Sequence, residues 1–430
     1  MNQKTRRVAI VGANRIPFAR SNGAYAHASN QDMLTAALDG LVDRFGLEGE
    51  RIGEVAGGAV LKHSHDRDLT RESVLGTRLA PETPAFDVQQ ACGTGLEATI
   101  LVANKIALGQ IDSGIACGAD TTSDAPIALN DELRETLLDA NRQKSTLARI
   151  KAFSGLRPGH IVPRVPRNEE PRTGLSMGEH CAIMASEWEI GRTEQDELAV
   201  ASHRNLAAAS ERGFLKDLIT PYLGLRQDEN LRPDSSVAKL SRLKPVFGGP
   251  EGTMTAANST PLSDGASAVL LASEEWARQR NLPVLAYFTE GQTAAIDYVH
   301  KREGLLMAPA YAVPMMLDRA GLKLQDFDYY EIHEAFAAQV LCTLKAWESE
   351  EFCQEKLNRK RPLGAIDRSK LNVNGGSLAA GHPFAATGGR IVGALARQLA
   401  DGGKGRGLIS ICAAGGQGVV AILEAPGERK

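Results

Sequence analysis

The chain carries one pattern of turns and apolar runs twice. Cys92-Gly-Thr-Gly95 opens an Ala-rich run through Ala107, followed by Gly109 and the apolar stretch Ile115-Ala-Cys-Gly-Ala119. Far downstream, Gly381-His-Pro-Phe384 opens a second run, followed by Gly402 and Ile409-Ser-Ile-Cys-Ala-Ala414. A turn, helix, turn and strand repeated in the same order restrict the chain to folds built from two similar halves. Cys92 and His382 then occupy equivalent strand-to-helix turns, facing each other across a pseudo-twofold axis. Cys412 ends the strand that matches the one bearing Cys117.

The surrounding pattern is α/β. A strand is expected over 7–12, a helix over 32–45, a strand over 52–60, the helix after Cys92, and a strand over 113–118. Residues 123–255 stand outside the duplication and read as an inserted loop domain with a helical pair over 178–188 and 193–212. The expected boundaries are 1–122 for the first part of the N-terminal half, 123–255 for the loop domain, 256–285 for the end of that half, and 286–430 for the C-terminal half. Within the insertion, residues 142–172 hold eight Lys or Arg against two acidic residues, beside Leu147, Ile150, Phe153 and Leu156. That segment is either a solvated basic face, an electrostatic patch for a phosphorylated substrate, or a docking surface for a partner or lipid.

At 430 residues the chain exceeds one comfortable core and needs no staple. A formal net charge of only -3, with no acidic or basic tail, gives no support for nucleic-acid binding. The expected partners are small molecules and other subunits. Six cysteines without CxxC spacing suit a reducing compartment, and the absence of an apolar leader or a membrane-length stretch leads to a cytoplasmic reading.

Four residues carry the chemistry. Cys92 sits where a short apolar strand gives way to a helix, whose positive end is expected to favour thiolate; alone, it reads by default as a buried apolar filler. His382 and Cys412 lie in glycine-rich turns, where backbone can approach a ligand and offer amide donors to an oxyanion. His333 and Glu334 follow a strand expected over 327–332 and precede a helix. Cys117, Cys181, Cys342 and Cys353 lack such settings and read as core or surface residues. His63, His65, Asp66 and Asp68 share a polar loop without a recognisable ligand spacing, so no metal is expected.

With Cys92, His333-Glu-Ala-Phe336, Gly381-His-Pro383 and Cys412-Ala-Ala-Gly-Gly-Gln-Gly418 in this order, the chain resembles the thiolases. Arg15-Ile-Pro-Phe18, Met177-Gly178, Arg192-Thr-Glu-Gln-Asp196 and Gly252-Thr-Met-Thr-Ala-Ala-Asn258 extend the match over nearly its whole length. The resemblance implies a five-layered αβαβα core with an inserted loop domain, and a homodimer or tetramer. His333 and Ala414 stand where many members carry Asn and Gly. Both departures, with the longer charged stretch 348–368, resemble the subgroup of fatty-acid oxidation complex β-subunits and imply cleavage of longer 3-ketoacyl thioesters. A hydratase-dehydrogenase α-subunit is an expected partner of that subgroup.

By the same resemblance, Cys92 carries the acyl group and His382 takes its proton. Cys412 protonates the leaving enolate, and His333 steadies the enolate oxygen. Backbone N–H groups of Cys92 and Ala414 form the second oxyanion hole, and Glu334 orients. Ser259, Thr260 and Met177 are expected at the substrate, with coenzyme A consumed as substrate and no cofactor held permanently. Three other readings remain: an acetoacetyl-CoA thiolase condensing two acetyl-CoA, a non-catalytic acyl-CoA or lipid carrier, and a decarboxylating ketosynthase. The last uses one Cys and two His, so Cys412 argues against it; the complete set of four groups argues against the carrier.

Overall fold

The computed structural model describes residues 5–427. Ten strands are present: β1 Val8–Arg15, β2 Ala19–Arg20, β3 Glu54–Gly57, β4 Ala85–Asp87, β5 Ser113–Asp120, β6 Ser263–Ser273, β7 Ala286–Ala295, β8 Tyr329–Ile332, β9 Arg406–Ala413 and β10 Gln417–Glu424. They hydrogen-bond in the order β4-β3-β5-β6-β1-β7-β10-β9-β8, with β2 added to β6.

The duplication is visible strand by strand. In the first half β3 runs parallel to β5, β5 antiparallel to β6, and β6 antiparallel to β1. In the second half β8, β9, β10 and β7 repeat those relations. Even β4, parallel to β3, has a reduced counterpart in a single parallel bridge between Tyr330 and Leu371. The halves meet where β1 and β7 pair antiparallel over three residues, Ala9 opposite Tyr287 at the centre.

Helix Thr94–Ala107, which follows Cys92, and helix Ala386–Gly402, which follows His382, pack on each other and on strands from both halves. They form the middle layer. Helix Asn30–Phe45 covers the outer face of β6, β5 and β1, while helix Ala308–Ala320 covers β7, β10 and β9. The result is an αβαβα stack, as the resemblance implies. Every residue of β1 and β6 is buried, with the apolar runs Val8–Val11 and Ala268–Ala272 at the centre of the sheet.

The two middle helices cross with almost no side chain between them. A Cβ placed on Gly388 would lie 2.2 Å from the Leu96 nitrogen, and one on Gly95 would lie 2.6 Å from the Ala385 oxygen. Glycine is needed at both positions because backbone meets backbone there.

Local differences from the sequence expectations have local causes. The first helix begins at Asn30 rather than Asp32, because Ser29 and Asp32 form a reciprocal capping box. The strand expected over 52–60 is reduced to β3, since the N–H groups of Val60 and Leu61 turn to the Asp120 carboxylate (2.9 and 2.8 Å) instead of a ladder. Residues 121–262 add no strand to the sheet and include helices Met177–Glu187 and Arg192–Glu211. The basic segment follows helix Asp131–Arg142 and forms helix Thr146–Ala152, with Leu147, Ile150 and Phe153 exposed.

Candidate active site

The Cys92 turn is built by its neighbours. Ala91 takes a left-handed backbone angle (φ 46°), which non-glycine residues reach only at a cost of about 1–3 kcal/mol. Thr94 holds the turn: its hydroxyl donates to the Ala91 carbonyl (2.7 Å) and accepts from the Gln90 N–H (2.8 Å). This strain presents the sulfur, half-buried, toward the second half of the molecule.

His382 meets it there. Its Nε2 lies 3.0 Å from Cys92 Sγ, across 290 residues of chain, and its Nδ1 lies 2.6 Å from the Thr387 hydroxyl. The loop around His382 is fixed by two buried acceptors. Ser263 Oγ accepts from the His382 N–H (3.2 Å), and the Asp120 carboxylate accepts from the Ala385 N–H (2.8 Å). His333 stacks obliquely on His382, with ring centroids 4.1 Å apart. Its Nδ1 faces the Ser377 hydroxyl at 2.8 Å, while its Nε2 is buried without a protein partner.

Behind His333, Glu334 points away from the reaction centre. Its carboxylate accepts from Ser202 Oγ (2.7 Å), Asn372 Nδ2 (2.7 Å) and the Leu378 N–H (3.1 Å), so it ties the His333 loop to the Ser377 turn. Cys412 is buried in β9, paired with Gly418 of β10, and near enough to Cys92 that ionisation of one sulfur would disfavour ionisation of the other. The glycine-rich turn that follows is clamped by Glu170, whose carboxylate accepts from the Gly415 N–H (2.6 Å) and the Tyr298 hydroxyl (3.0 Å).

The electrostatics correct one expectation. Burial, with a smaller contribution from the Asp120 carboxylate, pushes the Cys92 thiol up to about 12; the backbone N–H groups of Ala414 and Cys92, both directed at the sulfur, only partly offset this. Burial and the Arg390 guanidinium push His382 down to about 3. Desolvation therefore outweighs the helix end, and the resting pair is a neutral thiol on a neutral imidazole rather than a thiolate. Alkylation of the free protein at Cys92 by an uncharged reagent should show no break near the ordinary thiol value of about 8.5. A rate that rises through pH 8.5 with a simple one-proton curve would refute this electrostatic picture.

Of the expected substrate contacts, Ser259 lines a cleft of about 460 Å³ together with Arg20, Arg232, Lys239 and Leu378, and its hydroxyl is buried without a partner. Thr260 does not line it. Its hydroxyl and N–H both donate to the Ala335 carbonyl (3.1 Å each), bracing the loop after His333. Met177 begins the helix Met177–Glu187 and packs beside the apolar cluster that contains Cys412.

Cys117, Cys181, Cys342 and Cys353 are all buried. His63 is engaged with Asp124 (3.2 Å) and stacked on His65, whose partner is Asp66 (3.4 Å). Among the described residues, the one trio with metal-ligand spacing is Cys92, His333 and His382 itself, within 4.8 Å of one another. The Cys92–His382 contact and the ring contact between the two histidines account for that proximity.

Family models for the thiolase N-terminal domain and the thiolase C-terminal domain match residues 8–275 and 282–425. The chain belongs to the thiolase family. It is 41% identical over 424 residues to the 3-ketoacyl-CoA thiolases of Yersinia pestis (strain Pestoides F) and Yersinia pseudotuberculosis (serotype O:3, strain YPIII), covering 97% of both chains in each case. Among solved thiolase-family structures it superposes on the Bacillus anthracis acetyl-CoA acetyltransferase with a TM-score of 0.81 at 29% identity, covering 98% of this chain and 99% of that one. The human mitochondrial 3-ketoacyl-CoA thiolase in complex with CoA gives 0.80 at 27% identity, with 98% of each chain covered. No helix among the described residues is long and apolar enough to cross a membrane.

The sequence identified Cys92, His333 and His382, which the fold brings together, but missed the groups that hold them. Thr387, five residues after His382, and Ser377, inside the glycine-rich segment, were in plain view without a signal of what they bond. Glu170 had none, since it clamps the Cys412 turn from inside a segment notable only for its basic charge.

Proposed function

We propose that the protein is a 3-ketoacyl-CoA thiolase acting in fatty-acid β-oxidation, cleaving its substrate with coenzyme A to acetyl-CoA and a shortened acyl-CoA. The observation that carries this reading is the Cys92–His382 contact at 3.0 Å, supported by full-length similarity to proteins of that name.

The residues divide the work as follows. Cys92 Sγ attacks the 3-keto carbon as its proton passes to His382 Nε2, and the resulting alkoxide is held by the N–H groups of Cys92 and Ala414. The bond between C2 and C3 then breaks. Its electrons move into the thioester, whose enolate oxygen is steadied by His333 and the protonated His382. Cys412 gives C2 its proton, and acetyl-CoA leaves. The Cys412 thiolate next takes the proton of coenzyme A, whose sulfur attacks the acyl group on Cys92; collapse releases acyl-CoA, and the Cys92 sulfur recovers its proton from His382.

The cleft beside Ser259 suits the phosphorylated arm of coenzyme A, because Arg20, Arg232 and Lys239 line it while Leu378 continues toward the Ser377 turn. Arg232→Glu should raise KM for coenzyme A about 10- to 100-fold with kcat little changed, as expected for one charged hydrogen bond worth about 1.5–3 kcal/mol. An unchanged KM would move the phosphates elsewhere, with Arg149 and Lys151 of the basic segment the next pair to reverse. Homodimer formation is supported by β4, a short strand at the sheet edge with one unpaired side, just ahead of the Cys92 turn. An α-subunit with hydratase and dehydrogenase activities is the proposed further partner.

The deciding experiment is a chain-length series of 3-ketoacyl-CoA thioesters with coenzyme A, followed by substrate loss and intact protein mass. Cleavage of long substrates with an acyl adduct on Cys92 is the expected result. Activity confined to acetoacetyl-CoA would favour condensation of two acetyl-CoA, and neither turnover nor adduct would favour a carrier.

A further inference from the structure

Two histidines in ring contact usually raise the question of which nitrogen of each carries the proton. Here the surrounding donors answer it. Arg390 is buried, and its Nη2 donates to Ser377 Oγ at 2.9 Å; a guanidinium has donors only, so Ser377 must accept from it. Ser377 is itself fully buried, and the second partner of its hydroxyl among the described residues is His333 Nδ1 at 2.8 Å. A hydroxyl has one proton to give, and His333 Nδ1 is the acceptor within reach. The opposite arrangement, with Nδ1–H donating, would leave the Ser377 proton buried without an acceptor, a cost of about 1–3 kcal/mol.

We propose that Arg390 and Ser377 are positioning residues that lock His333 as the Nε2–H tautomer, aiming a hydrogen-bond donor into the site, while the Cys92 thiol, 3.0 Å from Nε2 of neighbouring His382, donates to that nitrogen and leaves the second ring as the opposite Nδ1–H tautomer. His333 Nε2 has no protein partner, as a donor reserved for a ligand oxygen requires. Burial, with His382 and Arg390, pushes His333 well below its ordinary value, so each neutral ring holds one proton. One ring is thereby a fixed donor and its neighbour a fixed acceptor, though they lie 4.1 Å apart.

This inference rests on the thiolase reading only for what the donor stabilises; the tautomers themselves are independent of it. Long-range ¹H–¹⁵N correlation spectra of histidine-labelled protein, assigned with His333→Asn and His382→Asn, distinguish protonated from unprotonated ring nitrogens at neutral pH. His333 should report Nε2–H and His382 Nδ1–H. His333 as Nδ1–H would overturn the proposal whatever the activity, whereas correct tautomers without thiolysis would count against the proposed function alone.

Kinetics give the second arm. Ser377→Ala should lower kcat for thiolysis about 10- to 100-fold with KM nearly unchanged, less than the loss of about 100- to 1,000-fold for a whole oxyanion donor in His333→Ala. Because Ser377 acts through His333, the double variant should be no slower than His333→Ala within about twofold. A further tenfold loss in the double variant would assign Ser377 a separate structural role and overturn the relay. The spectra of the unsubstituted protein decide the matter even where Ser377→Ala folds poorly.

Discussion

Cys92→Ala should lower thiolytic kcat by about 10⁴-fold or more and abolish the acyl-protein adduct, while KM for the 3-ketoacyl thioester stays within a few-fold. The size of the effect follows from the geometry. His382, the two N–H groups on the sulfur and the Ala91 turn all serve one atom, so losing that atom idles them together. The substitution removes little packing, because Cys92 is half-buried and carries no bond that holds the turn; Thr94 does that. Intact mass spectrometry after mixing with substrate is the direct check. A persistent acyl adduct would place the nucleophile elsewhere.

Cys412→Ala should separate the two halves of the reaction. Covalent acylation of Cys92 persists, whereas turnover falls about 10²- to 10⁴-fold, the range for loss of a general acid-base group. Burial holds the Cys412 thiol well above its ordinary value, with the neighbouring Cys92 adding to the shift. That setting keeps a proton on the sulfur until an enolate claims it, and makes the thiolate left behind a strong base toward coenzyme A. Normal turnover in this variant would remove Cys412 from the mechanism. Together the two cysteine variants distinguish an acyl carrier from a proton carrier, roles that identical side chains acquire only from their surroundings.

The repeated glycine punctuation disclosed the duplication and the short apolar runs the α/β alternation, while the five-layered stack came only with the resemblance to the thiolases. The sequence singled out Cys92, His333 and His382, which the fold brings together, because thiol and imidazole in glycine-rich turns have few structural uses. What it could not disclose was the state of those groups. The positive end of helix Thr94–Ala107 argues for thiolate, and only the enclosed three-dimensional surroundings reveal that desolvation wins. Likewise, Ser259 and Thr260 are adjacent in sequence, yet one residue lines a cleft with its hydroxyl buried and unpartnered while the other's hydroxyl is consumed by the Ala335 carbonyl. Hydrogen-bond partners such as Glu170, Ser377 and Arg390 lie far along the chain from what they hold, and no spacing rule reaches them.

The bare glycine crossing between the two middle helices has a consequence for how the protein is made. Gly95 leaves the ribosome long before Gly388 does, so the surface that seats one against the other is missing while the chain between them is made. Until then the Cys92 turn has neither its imidazole nor the Ala414 amide beside it. A nascent chain thus carries a thiol without its machinery, and reactive thioesters in the cell meet a competent nucleophile only once the last strands have closed over it. Assembly itself completes the catalyst, and a truncated product lacking helix Ala386–Gly402 and the strands after it would hold the thiol without its imidazole partner.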